Sequence, residues 1–111
     1  GMDLQSELSQ IISGDVETSD EVRKFYSHDA SLFELKPQAV VFPKNGDDIQ
    51  ALVSFAVKHK KDVPNLSLTA RSRGTDMSGG AINDYYRNKS LHDGYSRYFC
   101  RVGNRRARPH V

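Results

Sequence analysis

The chain has 111 residues, 37 % of them hydrophobic, with a net charge of +2 and a mean hydropathy of −0.63, so it has room for one small core and little else. It holds no apolar run long enough to span a bilayer and no secretory h-region. Its one cysteine, Cys100, excludes an internal disulfide, which suits a reducing, cytoplasmic setting.

Gly1-Met2 reads as an expression scar. In the segment 3–13, Leu4, Leu8, Ile11 and Ile12 stand at helical spacing, and Gly14 supplies a stop. A second short helix is expected from Ser19, whose hydroxyl can cap residues 20–26, with Val22, Phe25 and Tyr26 as its buried face. Neither helix is stable alone, so both must pack on something. Residues 39–42, Ala-Val-Val-Phe, form a short apolar run closed by Pro43, the pattern of a buried strand.

After the turn at Asn45-Gly46, residues 47–59 make the clearest helix of the chain, with Ile49, Leu52, Val53, Ala56 and Val57 on one face. Asp47 and Asp48 at its start and Lys58, His59, Lys60 and Lys61 at its end suit the helix dipole. Residues 66–70 alternate with period two and predict the next strand. Strand, helix and strand of these lengths imply a crossover unit with the two strands paired in parallel, in an α+β fold of α/β-like character.

That second strand runs into Arg71, Ser72, Arg73, Gly74, Thr75, Asp76, Met77, Ser78, Gly79 and Gly80. Three glycines and three hydroxyls in ten residues permit close approach of backbone to ligand, and successive N–H groups there can converge on phosphate oxygens. By composition alone the same run also reads as a polar surface turn.

Order supplies what composition does not. Residues 26–31, 37–45, 48–49, 55–56, 68–71, 74–75 and 78–80 together resemble, in sequence and spacing, the N-terminal part of the PCMH-type FAD-binding domain of the vanillyl-alcohol-oxidase flavoprotein family, nearest its D-lactate and glycolate dehydrogenase branch. The resemblance implies non-covalent FAD whose pyrophosphate is wrapped by Arg71 to Gly80, with the hydroxyls of Thr75 and Ser78 facing it and Pro43 and Lys44 near its inner edge. Ser72 stands where many members carry glycine. Thr75 stands where the covalently flavinylated branch carries histidine, so no covalent bond to the flavin is expected there. The catalytic and substrate-binding residues of such enzymes lie in a later, missing C-terminal part, so no catalytic residue is named, and the chain alone is expected to be inactive and to bind FAD poorly.

His28, His59, His92 and His110 are too scattered for a metal site, and His59 reads as a helix C-terminal cation. Residues 1–84 carry nine Lys/Arg against thirteen Asp/Glu, a net of −4, whereas residues 85–111 carry seven Lys/Arg against Asp93 alone, a net of +6. Basic residues interleaved with Tyr85, Tyr86, Tyr95, Tyr98 and Phe99 have the composition of a nucleic-acid arm, and a stand-alone module binding an anion or nucleic acid is the alternative function. The tail has no periodicity, however, and the resemblance stops at Asp84, where the family continues with a strand of the type Ile-Ile-Val-Asp. Read one base later, codons for Tyr85-Tyr86-Arg87-Asn88 can spell Ile-Ile-Val-Thr. The division expected is therefore a helical segment (2–27), a partial FAD-binding domain (28–84) and a basic, frameshifted or non-native tail (85–111). The arginines of that tail should find few partners, and its deletion should leave the melting of residues 1–84 nearly unchanged.

Overall fold

The computed structural model describes residues 3–27, 34–72 and 98–106. Helix α1 (Leu4–Ile11) begins at Asp3, whose carboxylate accepts from the Ser6 N–H at 2.8 Å, and it ends three residues before Gly14. Leu8 and Ile12 are buried and Leu4 is half-buried, while Ile11 faces out. Strand β1 (Asp15–Glu17) follows, an element too short for its pattern to be legible. Helix α2 (Asp20–Phe25) starts at Ser19 as expected, its hydroxyl accepting from the Val22 N–H at 3.3 Å.

Strand β2 (Ala39–Phe42) is buried along its whole length, as an apolar run closed by proline predicts. Helix α3 (Gly46–His59) starts one residue earlier than expected, because Asn45 is its N-cap rather than part of a free turn. The Asn45 side chain accepts from the Asp48 N–H at 2.9 Å. Strand β3 (Leu66–Ser72) runs two residues beyond the alternating stretch, and β4 (Tyr98–Asn104) is the last of the described strands.

The sheet order is β1-β2-β4-β3, with every neighbouring pair antiparallel. This corrects the expected parallel pairing of β2 with β3. The two strands do run in the same direction, but β4 lies between them and pairs with both. Val41 and Ala70 are each in register with Cys100, and Leu68 and Ala39 are each in register with Val102. The β2-α3-β3 crossover therefore spans one strand position, and the occupant comes from the segment expected to stay outside the fold. A central strand satisfies two rows of backbone groups that would otherwise be left for water, which favours filling that position.

Side-chain alternation divides the core into two layers. Val16, Ala39, Val41, Cys100 and Val102 share the face toward α1 and α3, where Leu8, Ile12 and Leu52 pack in the same cluster. Val40, Phe42 and Phe99 face α2, against Val22 and Tyr26. The Tyr26 ring meets Phe25, Phe42 and Phe99 edge-on, with centroids 5.0, 5.1 and 4.9 Å away. Edge-to-face geometry of this kind adds to area burial. Among the described residues, no helix is long and apolar enough to cross a membrane.

Candidate cofactor site at one end of the sheet

Because β2 and β3 run the same way, their C-terminal ends lie at the same end of the sheet, on either side of the start of β4. Arg71 is in register with Phe99 and Ser72 with Tyr98, while Val41 is in register with Cys100. Two strand spacings separate β2 from β3, so the segments ending in Pro43-Lys44 and Arg71-Ser72 stand about 10 Å apart. Sequence reasoning assigns both segments to one ligand, and the topology brings Pro43-Lys44 and Arg71-Ser72 to one end of the sheet.

Arg71 and Ser72 are the last residues of β3 rather than part of the following loop. Arg73, Gly74, Thr75, Asp76, Met77, Ser78, Gly79 and Gly80 lie outside the described residues, as do His28, His92 and His110. Arg71 is exposed, and its guanidinium donates to the Ala70 carbonyl at 3.3 Å.

At the end of β2 the geometry is set by Asp48. Its carboxylate is buried, with the residue 2 % exposed, and accepts three backbone N–H groups: Ser13 at 2.7 Å, Gly14 at 2.9 Å and Lys44 at 2.8 Å. One side chain thus ties the α1–β1 turn to the β2–α3 turn. Gly14 is required at this junction, since a Cβ there would lie 2.0 Å from the Phe42 carbonyl oxygen.

This arrangement bears on how an anionic cofactor can be held. The Lys44 amide is already used by Asp48, and Pro43 is buried and has no N–H, so neither backbone can donate to a phosphate. What β2 offers is the exposed Lys44 ammonium, and what β3 offers is the exposed Arg71 guanidinium. Two cations at one sheet end fit a pyrophosphate by charge.

Sequence reasoning missed the buried pair on the opposite layer. Arg101 donates to Glu34 at 3.0 Å and to the Tyr26 carbonyl at 3.0 Å, with the Arg101 and Glu34 side chains 4 % and 6 % exposed. The Arg101 guanidinium carbon also lies 5.8 Å from the Phe99 ring centroid. The expectation that arginines of the tail find few partners is therefore corrected at Arg101. His59 is in the last turn of α3, where its ring stacks on Phe55 at 4.0 Å and Nε2 lies 3.9 Å from Glu7. That is a packing role between α3 and α1, far from the sheet end.

No protein-family model matches the chain, and no solved structure matches it. It is 35 % identical over 80 residues to the D-2-hydroxyglutarate dehydrogenase of Escherichia coli (strain K12), covering 72 % of this chain and 8 % of that protein. It is 32 % identical over 75 residues to the D-2-hydroxyglutarate dehydrogenase of Haemophilus influenzae, covering 68 % of this chain and 7 % of that protein. The chain thus spans less than a tenth of the length of these relatives. Together with the ordered motifs, these likenesses support a lineage among the FAD-linked oxidoreductases.

Proposed function

We propose that this chain is the N-terminal portion of an FAD-dependent oxidoreductase and forms one wall of the site for the cofactor's pyrophosphate. The observation that carries this reading is the placement of the β2 and β3 C-terminal ends, with Lys44 and Arg71, at the same end of the sheet. The Lys44 and Arg71 side chains would offset the pyrophosphate charge, and the glycine-rich run that continues β3 would bring backbone N–H groups to its oxygens. Bound FAD supplies the acceptor for the hydride that leaves the hydroxyl-bearing carbon. Asp48 acts indirectly, by fixing the turn from which Lys44 projects.

The parent enzyme would oxidise a small 2-hydroxy acid such as D-lactate or glycolate, and the names of the relatives extend that class to D-2-hydroxyglutarate. The chain alone would lack the catalytic base and the second half of the cofactor cradle. The alternative of a nucleic-acid module through the basic tail loses Arg101, which is committed to Glu34 and Tyr26 inside the fold.

Equilibrium dialysis against FAD and riboflavin tests the assignment, because riboflavin has the ring system without the pyrophosphate. Retention of FAD but not riboflavin, reduced by Lys44→Glu, is expected. Because the chain holds only part of the cradle, the dialysis is run at millimolar ligand; equal retention of both, or of neither at that concentration, would count against it.

A further inference from the structure

The other end of β3 carries a second feature. Val53, Ala56 and Val57 of α3 and Leu66 and Leu68 of β3 line an open groove of about 320 Å³, with Lys60 and Arg105 in the same lining. Sites for small organic ligands begin at about that volume. Val53 and Val57 are 49 % and 65 % exposed, so α3 presents apolar surface here that nothing in the described chain covers.

The two cations are the informative part. Among the described residues, no carboxylate lines the groove, and neither the Lys60 nor the Arg105 side chain has a hydrogen bond or ion pair. An uncompensated ammonium and guanidinium beside an apolar trough match a molecule with an aliphatic body and an anionic head, the guanidinium fork being suited to a carboxylate. A second copy of this chain is disfavoured as the occupant, because a two-fold contact would bring Lys60 and Arg105 against their own kind.

We propose that this groove binds a small aliphatic monocarboxylate, its chain lying on Val53, Val57, Leu66 and Leu68 and its head held by Lys60 and Arg105. The site is separate from the proposed cofactor end, since Leu66 and Ser72 are at opposite ends of β3, roughly 20 Å apart. It therefore stands or falls independently of flavin binding.

The test is titration of the full chain with octanoate, followed by backbone amide NMR. Saturable shifts confined to the last two turns of α3 and the start of β3 are expected. The double variant K60E/R105E should weaken binding by about tenfold or more, since charge-assisted hydrogen bonds to the head would be lost. Val57→Asp should abolish binding, and because Val57 is exposed, an unchanged far-UV spectrum will show that the fold persists. Octylamine, with the same body and the opposite charge, should not bind. Equal binding of octylamine, shifts that map elsewhere, an unaltered affinity in K60E/R105E, or no saturation would each overturn the proposal.

Discussion

Arg101 on β4 donates to Glu34 at 3.0 Å across a sequence separation of 67 residues, and both side chains are almost wholly buried. The same guanidinium donates to the Tyr26 carbonyl at the end of α2, so one arginine joins the middle of the sheet to two otherwise separate stretches of chain.

Removing one member of this pair leaves a charge inside the protein. Glu34→Ala is expected to cost about 3–5 kcal/mol, a large share of the stability of a small domain. The paired replacement of Glu34 by Leu and Arg101 by Met should recover most of that loss, because desolvation of both charges disappears with them. Urea unfolding of the single and double variants measures the difference. A single variant as stable as the wild type would show that the pair does not form.

Asp48 makes a similar prediction on the opposite layer. Asp48→Ala leaves the N–H groups of Ser13, Gly14 and Lys44 without their acceptor and should cost about 3 kcal/mol or more. Gly14→Ala should destabilise by about 1–3 kcal/mol, since its methyl group would collide with the Phe42 carbonyl. Both are read from thermal or denaturant midpoints. Neutral effects from both would mean that the two turns are not locked together.

Cys100 provides a pH test. Burial pushes its thiol up to about 11 from 9.0. Below pH 9 both folded and unfolded chains hold the proton; between pH 9 and 11 the unfolded chain releases it while the folded chain keeps it. The unfolded state then binds fewer protons, so stability falls as pH rises through this window. Subtracting the stability–pH curve of Cys100→Ala isolates the effect from the tyrosines and lysines that titrate nearby. The difference should be flat below pH 8 and decline above pH 9, and a thiol reagent should react at pH 8 only as the protein unfolds.

Truncation after residue 97 should abolish cooperative unfolding. It removes β4, the strand bonded to both β2 and β3, together with the buried Phe99, Cys100, Arg101 and Val102. This reverses the expectation drawn from sequence, under which the basic tail could be deleted with little effect. A sharp, wild-type-like melting transition in the truncated chain would show that residues 3–72 fold without the strand.

Local signals carried the helices and the strands of the crossover well. Ser19 announced α2, the 3.6-residue stripe of Leu52 and its neighbours announced α3, and Ala39 to Phe42 announced a buried strand. What stayed illegible was non-local. Tyr98 to Asn104 contains Arg101 and Gly103 and lies beyond a sharp change in charge, so neither alternation nor composition pointed to a central strand. Arg101 becomes a core residue only because Glu34 and the Tyr26 carbonyl meet it, and neither partnership has a local signature. From sequence Asp48 reads as a helix-start charge, yet its position three residues after Asn45 resembles a capping box, the available hint of a structural role. At the candidate site, Pro43, Lys44, Arg71 and Ser72 could be grouped from motif order, but the use of the Lys44 amide by Asp48 required coordinates.

The central claim is that the shared end of β2 and β3 faces the pyrophosphate of FAD. Backbone amide NMR during titration with FAD tests it most directly, with riboflavin as the control. The account predicts saturable shifts at Lys44, Arg71 and Ser72 with FAD, absent with riboflavin, and none at Leu66 or Leu68 at the far end of β3. Shifts with FAD confined to the α3–β3 groove, or no shifts at the ends of β2 and β3 at any concentration, would contradict it.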